Sequence, residues 1–368
     1  MSDHTTDLAD VRSKIDALDR DLLRLLNARA SLAQAAARAK QAEHGPAAEL
    51  FRPEREAQLL RDAARSNPGP LATADVQRIL SEVVSACRAL ELPLAVAFLG
   101  PKGTFTEAAT VKHFGHCIQP VPIATIDAVF REVESGNCDY GVVPVENSTE
   151  GVVNHTLDTF LHSSLCICGE VMVPIHHCLI SACADLRDIQ VIVSHQQSLA
   201  QCRKWLDKEF PGVTRESVSS NAEAVRRVVD LPSAAAIAGQ IAAESYNLPV
   251  LRENIEDEPD NTTRFLVIGR QPVAASGDDK TSVTFSFSKN RPGGLFHAIE
   301  VFARRDINMT RIESRPSRTE RWNYVFYVDF VGHLSDPRVG DVIAELQQRT
   351  DFMKILGSFP RAVYEETR

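Results

Sequence analysis

Short runs of β-forming residues alternate with helical stretches through the central half of the chain, and this alternation most constrains the fold. The runs are LAVAFLG, YGVVPVE, VIVSH, AAAIAG and RFLVIG. Strands that alternate with helices predict an α/β fold with mainly parallel strands. In such sheets ligands bind at the loops that leave the carboxyl ends of the strands, so we expect a site there.

Polar motifs follow these strands where that rule places a site. GPKGTFTEAA follows the first run and opens a helix, ENST follows VVPV, and SHQQS follows VIV. GPKGT lacks the ending of a Walker loop, but its glycines and the helix N-terminus suit a carboxylate. Each loop taken alone is more often ordinary strand-to-helix capping by Ser, Thr and Asn.

Thr263, Arg264 and Phe265 stand between an acidic loop and the last of these strands. A hydroxyl, a cation and an aromatic ring in consecutive positions suit a small anionic ring substrate. The triplet alone is a weak signal, since any loop-to-strand junction has such a composition at times. It gains force from the loops upstream.

The first 92 residues predict three helices. Apolar residues recur at spacings of four and three along the first: Val11, Ile15, Leu18, Leu22 and Leu25. This pattern indicates a long helix with a coiled-coil-like seam. His44-Gly45-Pro46 would end it, a second helix would start at Pro53, and a third would run from about Thr73 to Leu90.

Arg29 continues the apolar seam, and Lys40 lies eleven residues further on. The two cations share one helix face, roughly 16 Å apart. A cation on such a seam needs an anion, although an arginine at the seam edge also reaches solvent through its long stem. Glu91 follows Cys87 by one turn beside the stripe of the third helix, so burial would raise its pKa.

The C-terminal part predicts a ferredoxin-like unit after a short polar linker, Ala274 to Lys280. Its strands are TSVTFSF, INMTRIES, WNYVFYVDF and a run near Met353 to Phe359, and its helices start at Gly293 and Asp336. This strand–helix–strand–strand–helix–strand order is the ferredoxin-like arrangement.

Composition limits the partners. A chain of 368 residues is too long for one ordinary core, so two or three domains are expected. The net charge of −9 argues against nucleic acid, so local cations must hold any anionic substrate. No apolar run suits a signal peptide or a membrane span, and the eight cysteines, Cys166 and Cys168 included, lack metal-site spacing. We expect a cytoplasmic protein with free thiols and neither metal nor cofactor.

Taken together, GPKGTFTEAA, VVPVENSTEGVVNHTLD, SHQQSLAQCRKWL and the TRF triplet resemble prephenate dehydratase. The first segment is similar to the all-helical chorismate mutases, and the last is similar to ACT regulatory domains. That order is the one of the bifunctional chorismate mutase/prephenate dehydratase family. The resemblance implies an all-α mutase domain over residues 1–92, an α/β two-lobed dehydratase domain over 94–272, and an α+β ferredoxin-like ACT domain over 279–362.

In the helical segment, the resemblance implies a Claisen rearrangement of chorismate to prephenate in a site shared by two intertwined subunits. Arg29 and Lys40 would hold the substrate carboxylate and ether oxygen, and Arg12 would come from the other subunit. The other contacts would be Glu56 to the ring hydroxyl, Glu91 to the ether oxygen when protonated, and Cys87 where a serine is often found.

In the central segment, the resemblance implies decarboxylating dehydration of prephenate to phenylpyruvate. Thr263 would donate to the leaving hydroxyl, Arg264 would fix a carboxylate or the loop, and Phe265 would pack behind. The remaining cleft residues would be Asn147, Ser148, Thr149, Ser194, Gln197 and Ser198, with Thr104 and Phe105 closing the cleft. His155 and His195 are candidate bases, but a structural role is the better interpretation of both.

In the last segment, the phenylalanine motifs of ACT domains appear as Gly293-Gly294-Leu295-Phe296 and Glu313-Ser314-Arg315-Pro316. The first departs from the usual GALV at its second and fourth residues. Three residues would contact the inhibitor L-phenylalanine: Leu295, Glu313 and Ser314. A pairing domain without a ligand is the alternative.

We expect a homodimer or larger homo-oligomer that acts on chorismate and prephenate, paired through the first helix and through the last domain. Two other functions stay open. One is a dehydratase whose mutase segment only dimerises. The other is a non-catalytic sensor of aromatic metabolites, since the central fold resembles two-lobed binding proteins.

Overall fold

The N-terminal unit consists of three helices, as predicted. The computed structural model describes residues 7–44, 51–287, 292–316 and 324–363. The helices are α1 (Leu8–His44), α2 (Pro53–Ser66) and α3 (Thr73–Ala89). The predicted stop signal at Gly45 and Pro46 lies outside the described residues. Leu18 and Leu22 on the seam of α1 are 64% and 56% exposed, so no described part of the chain covers this face.

The helical unit packs directly onto the central unit. Phe51, just before α2, lies in the core beside the rings of Phe114 and Tyr140, at centroid distances of 5.4 and 5.0 Å. Pro53 begins α2 because the first helical turn does not need its missing N–H. The helix then buries Ala57 and Leu60. These apolar contacts join α2 to the rest of the fold.

The central unit alternates strands and helices. Its strands are β1 (Ala95–Leu99), β2 (Gln119–Ile123), β3 (Tyr140–Asn147), β4 (Gly151–Val152), β5 (Cys166–Pro174), β6 (Cys178–Ile180), β7 (Val191–His195), β8 (Thr214–Val218), β9 (Ala234–Ala238), β10 (Val250–Arg252) and β11 (Thr262–Gly269). Its helices are α4 (Phe105–Phe114), α5 (Ile126–Glu134), α6 (Asn154–His162), α7 (Gln196–Gln201), α8 (Arg203–Glu209), α9 (Asn221–Val229) and α10 (Gln240–Tyr246).

These elements form two lobes, each with its own sheet. The first sheet has the order β2-β1-β3-β11-β5, with β4 beside β3, and the second has the order β10-β6-β9-β7-β8. β1 runs parallel to β2 and β3, and β7 runs parallel to β8 and β9. β11 is antiparallel to both neighbours, and β6 is antiparallel to β9 and β10.

The two-lobed α/β prediction is confirmed, but the expectation of mainly parallel sheets is wrong. The chain crosses between the lobes after β5 and again after β10. The strands next to these crossings run against their neighbours, so both sheets are mixed. Strand-length apolar runs predict strands but not their direction.

The C-terminal unit has the predicted ferredoxin-like order. Its elements are β12 (Asp279–Ser286), α11 (Gly294–Ala303), β13 (Met309–Pro316), β14 (Tyr324–Val331), α12 (Pro337–Arg349) and β15 (Phe352–Pro360). The sheet order is β13-β14-β12-β15, with every pair antiparallel. Asp279 and Lys280, predicted as linker, are instead the buried start of β12. Trp322 and Asn323 of the predicted third strand lie outside the described residues.

The central and C-terminal units share one core. Tyr327 and Phe359 pack in the same apolar cluster as Phe160 and Ile167 of the central unit. A Cβ at Gly357 would lie 2.4 Å from the carbonyl oxygen of Ile167, so β15 approaches β5 more closely than a larger residue allows. No helix in the described ranges is both long and apolar enough to cross a membrane.

Candidate active sites

A cleft lies between the two lobes of the central unit, at the strand ends where the sequence predicts a site. Seven of the predicted residues line it: Thr104, Phe105, Asn147, Gln197, Ser198, Thr263 and Phe265. They come from three separate loops and from the start of β11. Four others lie outside its lining: Ser148, Thr149, Ser194 and Arg264.

Thr263 and Asn147 form a hydrogen-bonded pair in the cleft. They are register partners on the antiparallel strands β11 and β3. Asn147 Nδ2 donates to Thr263 Oγ1 at 2.7 Å and to Asn261 Oδ1 at 2.8 Å, while its Oδ1 accepts from the backbone N–H of Thr149 and Glu150. The amide is therefore fixed from both sides. Because the Thr263 oxygen accepts from Asn147, its own proton is available to a ligand.

The first predicted loop closes one side of the cleft. Thr104 caps α4, its hydroxyl accepting a hydrogen bond from the helix backbone. Gly103 has a φ of 83°, and a Cβ there would lie 3.0 Å from the Cα of Ala242 in the second lobe. Phe105 packs against Gly239, where a Cβ would lie 2.8 Å from the ring. This loop of the first lobe thus lies directly against the second lobe.

Asn221, the first residue of α9, lines the cleft and was not predicted. Its Oδ1 accepts from Ser198 Oγ at 2.9 Å and from the backbone N–H of His195 at 3.2 Å, and Ser194 Oγ lies 3.0 Å away. With Oδ1 occupied, Nδ2 remains available to a ligand. Ser194 itself is fully buried beneath the cleft. A sequence signal existed, since Ser-Ser-Asn follows a strand and opens a helix, as the predicted motifs do.

Ser148 and Thr149 lie beside the cleft. Ser148 joins the end of β3 to the start of β11: its Oγ accepts from Thr262 N at 2.9 Å, and its N–H donates to the Thr262 carbonyl at 2.9 Å. Thr149 lines a neighbouring hollow with Glu256 and Asn261. Both residues shape the segment that carries Asn147.

Arg264 belongs to a buried ion network that faces the C-terminal unit. Its Nε and Nη2 lie 2.9 and 2.8 Å from Glu170 Oε2, and its Nη1 lies 2.6 Å from Asp329 Oδ2 on β14. Lys280 Nζ donates to Glu170 Oε1 at 2.8 Å. Burial alone would lower the pKa of Arg264, but the Asp329 and Glu170 carboxylates raise it. The network therefore holds a charged arginine between the two units.

Two histidines line the cleft, and one predicted candidate does not. His195 and His177 are both in the lining. His177 is 1% exposed, and its Nε2 lies 2.8 Å from Gln201 Oε1. Burial lowers the pKa of the ring, which favours its neutral form. His155 lies outside the cleft and pairs with Asp127 at 3.0 Å on the surface. The adjacent pair His176-His177 follows the proline-ended strand β5 and was not singled out in the sequence.

A second site lies in the helical unit. It brings together Arg29 and Lys40 of α1, Glu56 of α2, Arg88 of α3 and Glu91 just after α3. The predicted Cys87 precedes Arg88 on α3 and is buried. Arg12 lies on the exposed N-terminal part of α1, seventeen residues before Arg29. That separation is about 25 Å along a helix, too far for both to reach one ligand within a single chain.

The two carboxyl groups of the helical site have raised pKa values. Burial raises the pKa of Glu56, against the opposing charges of Arg88 and Arg29. Burial likewise raises the pKa of Glu91, against Lys40, Arg88 and Arg29. Arg88 was not predicted, yet it pairs with Glu56 at 2.6 Å. Its position beside Cys87 on an otherwise apolar stripe was the available signal.

The two motifs of the C-terminal unit lie at its surface. Gly293, with a φ of 77°, precedes α11, whose first turn holds Gly294–Phe296, and the Phe296 side chain is 66% exposed. Glu313–Pro316 end β13 at the edge of the sheet. Arg315 is the exception, since it pairs with Asp158 of the central unit at 2.7 Å. The structure describes no cluster of His, Cys, Asp or Glu that could hold a metal ion in the residues it covers.

Comparison with known protein families divides the chain in the same way. The family described as chorismate mutase type II matches residues 11–92. The prephenate dehydratase family matches residues 96–273, and the ACT domain family matches residues 281–347.

Individual proteins are similar over nearly the whole chain. A bifunctional chorismate mutase/prephenate dehydratase of Pseudomonas aeruginosa is 51% identical over 356 residues, which cover 96% of this chain and 97% of that protein. A protein of Aquifex aeolicus with the same description is 43% identical over 364 residues, covering 98% and 99%. The solved prephenate dehydratase of Arthrobacter aurescens in complex with L-Phe superposes with a TM-score of 0.67 at 36% identity, covering 74% of this chain and 92% of that one.

Proposed function

The chain belongs to the bifunctional chorismate mutase/prephenate dehydratase family and has both activities, and on this premise we propose how its sites work and how they are regulated. The mutase, dehydratase and ACT units extend over residues 1–92, 94–272 and 279–362. The first converts chorismate to prephenate, the second converts prephenate to phenylpyruvate, and L-phenylalanine bound to the third inhibits the enzyme. Family membership weighs against a non-catalytic sensor and against a mutase segment that only dimerises.

The contact between Asn147 and Thr263 carries the dehydratase proposal. Loss of carbon dioxide from prephenate sends electrons through the ring toward the carbon that loses hydroxide. A hydrogen bond to the departing oxygen stabilises the negative charge that builds there. Asn147 Nδ2 occupies an acceptor position of the Thr263 oxygen at 2.7 Å, so the threonine proton is directed to the substrate. A threonine hydroxyl is too weak an acid to be a proton reservoir, so Thr263 acts as a positioned donor.

The rest of the cleft orients the substrate. Prephenate carries two carboxylates, and the N-terminus of α4 behind Thr104, together with the amides of Gln197 and Asn221, supplies donors for them. Phe105 and Phe265 give the ring an apolar slot between the lobes. Holding one compact geometry lowers the barrier, because the reacting groups need not be ordered in the transition state.

The mutase site works without a nucleophile, because the rearrangement is pericyclic. Arg29 and Lys40 bind the carboxylate and the ether oxygen, and Glu56 binds the ring hydroxyl. Glu91 adds a hydrogen bond to the ether oxygen in its protonated form, which its raised pKa favours. These donors stabilise the charge that builds on the oxygen as its bond to carbon breaks.

A second copy of the chain completes the mutase site. The exposed seam of α1, with Leu18 at 64% and Leu22 at 56% exposure, is an apolar face for the same helix of a partner. Pairing along α1 brings a partner's arginine at position 12 toward the site, which Arg12 of the same chain does not reach. We therefore propose a homodimer as the minimal active form.

Feedback by L-phenylalanine acts through the ACT unit. The Arthrobacter aurescens prephenate dehydratase with a TM-score of 0.67 was solved with L-Phe. Leu295, Glu313 and Ser314 contact the effector at the surface motifs. Inhibition requires that the effector bind a less active state more tightly than the active one. The ion network of Arg264 joins the ACT sheet to the strand that carries Thr263.

Isothermal titration with L-phenylalanine tests this regulation, together with prephenate turnover at the same effector concentrations. We expect saturable binding and inhibition with matching midpoints. Glu313→Gln should weaken both, while Glu209→Gln, on a distant exposed helix end, should leave both unchanged. An absence of heat at millimolar L-phenylalanine, with turnover undiminished, would defeat the regulatory proposal and leave the two activities in place.

A further inference from the structure

Arg88 is a buried arginine at the junction of the mutase and dehydratase units. Its side chain is 6% exposed, compared with 24% for Glu56. Its Nη1 donates to Glu56 Oε1 at 2.6 Å, and its Nη2 donates to the carbonyl oxygen of Phe114 at 2.6 Å. Its guanidinium carbon lies 4.9 Å from the centroid of the Phe51 ring. Three contacts from three directions therefore hold the guanidinium in one place.

Arg88 binds one oxygen of the Glu56 carboxylate and leaves the second oxygen for a ligand. Glu56 Oε1 accepts from Arg88, and in the described part of the chain no side chain donates to Oε2. The Glu56 side chain is 24% exposed, in contrast to Arg88. Of the two groups, only Glu56 is therefore open to a ligand. A charge-assisted contact at 2.6 Å restricts the orientation of the carboxylate.

The Phe114 end of Arg88 is fixed by a second set of contacts between α3 and the loop after α4. Ser85 Oγ accepts from Cys117 N at 3.1 Å, and Glu82 accepts from His116 N at 3.2 Å. Gly115 fits so closely that a Cβ there would lie 2.4 Å from the Cβ of Ser85. α4 starts at the dehydratase cleft and ends at this contact, so one helix joins the two sites.

We propose that Arg88 is a positioning residue of the mutase, which holds Glu56 so that its second oxygen is left for the ring hydroxyl of chorismate, and which is itself held by the dehydratase unit through Phe114. This inference rests on the role proposed for Glu56. It makes mutase turnover depend on a contact supplied by the other enzyme unit. Arg88 does not touch the reacting atoms.

Replacing Arg88 with an uncharged residue removes a positive charge beside Glu56. Burial raises the pKa of this carboxyl, and Arg88 is the largest influence that opposes the rise. Among the described residues, the other charged or titratable groups that face Glu56 or line the adjoining cavity are Arg29, Glu54, Lys112, His113, Cys168, Glu170 and Arg361. Without the guanidinium, the pKa of Glu56 rises further, so the ionised form that accepts from the substrate is lost at a higher pH.

The test uses the full-length protein with Arg88 replaced by Met and by Lys. Mutase kcat and KM for chorismate are measured across pH. We expect Arg88→Met to lower kcat/KM by about tenfold to a hundredfold, mainly through KM, because a charged hydrogen bond to Glu56 is lost. The acid limb of kcat/KM should move to higher pH. Arg88→Lys should restore part of the lost kcat/KM and part of the shift in the acid limb. The control Arg78→Met removes an exposed arginine of the same helix and should match wild type.

The shift of the acid limb of kcat/KM distinguishes a lost positioning contact from a general loss of structure. The alkaline limb also moves upward, because Arg88 opposes the raised pKa of Glu91 as well, so it does not discriminate. Arg88→Gln keeps an amide donor for the Phe114 carbonyl and lacks the charge, so it carries the same test if the Met variant does not fold. Dehydratase turnover of prephenate reports on folding in each variant.

Two results would overturn the inference, and they differ. If Glu56→Gln impairs the mutase while Arg88→Met and Arg88→Gln keep the wild-type kcat/KM and acid limb, Arg88 does not position Glu56, and the role of Glu56 stands. If Glu56→Gln turns over chorismate like wild type, the proposed role of Glu56 fails and the role of Arg88 fails with it.

Discussion

Replacing Thr263 with valine removes one hydroxyl from the dehydratase cleft and keeps the shape of the side chain. In the wild-type cleft Asn147 Nδ2 lies 2.7 Å from Thr263 Oγ1, so the threonine proton is directed to the substrate. One preorganised donor to a developing charge contributes about 3 kcal/mol to lowering the barrier. We therefore expect Thr263→Val to lower dehydratase kcat by about a hundredfold to a thousandfold, with kcat/KM falling in proportion.

The same substitution should leave the fold intact. Thr263 is 9% exposed, and the loss of one neutral hydrogen bond lowers the free energy of unfolding by about 1 kcal/mol. Asn147 keeps its hydrogen bond to Asn261 Oδ1 at 2.8 Å, so its amide is not left unsatisfied. The expected result is therefore a folded enzyme that lacks one activity.

The assay follows phenylpyruvate from prephenate, with mutase turnover of chorismate as the internal control. Thr263→Ser keeps a hydroxyl and should retain most of the dehydratase turnover. Thr262→Val makes the same change at the adjacent residue, which lies outside the lining of the cleft, and should match wild type. A Thr263→Val enzyme whose dehydratase kcat stays within about threefold of wild type would refute the role of this hydroxyl.

Three further predictions concern the charged residues. Arg264→Met leaves Glu170 and Asp329 without their shared cation, so it should lower the free energy of unfolding by about 3–5 kcal/mol; a thermal melt identical to that of Arg252→Met, an exposed control, would contradict this. Lys40→Ala should lower mutase kcat by about a hundredfold or more and spare the dehydratase; wild-type mutase turnover would make Lys40 an ordinary helix cation. Burial raises the pKa of Glu91, and its protonated form is the donor, so mutase activity should fall as pH rises through that pKa. Glu91→Gln should flatten this alkaline limb, and an unchanged pH profile would reject the protonated acid.

The cleft was predictable because its residues follow strands. Polar loops at strand ends meet at one edge of a sheet, and Thr104, Asn147 and Gln197 are found there. Asn221 and Arg88 were missed because their roles arise from pairing with distant segments. Asn221 is fixed by Ser194 of β7 and Ser198 of α7, and Arg88 by a carboxylate on another helix. The local sequence signals at Asn221 and Arg88 do not identify the distant partner of either residue.

The linker prediction failed at its last two residues, Asp279 and Lys280, for a related reason. A charged run such as Ser-Gly-Asp-Asp-Lys has the composition of a solvated loop. Lys280 is nevertheless buried, because Glu170, on β5 of the central unit, lies 2.8 Å from its ammonium group. A buried charge is stable only when it is paired, and here the partner lies 110 residues away in sequence. Tertiary pairing therefore overrides composition at this position.

The TRF triplet combines two roles because of the geometry of a strand. Successive side chains of a β-strand point to opposite faces of the sheet. Thr263 and Phe265 therefore lie on one face of β11, and Arg264 lies on the opposite face. Thr263 and Phe265 line the cleft, while Arg264 reaches Glu170 of β5 and Asp329 of the ACT sheet. A shift of the ACT sheet that moved the Arg264 guanidinium would therefore act one peptide unit away from Thr263. For this reason the proposed effect of phenylalanine needs no contact between the effector and the cleft.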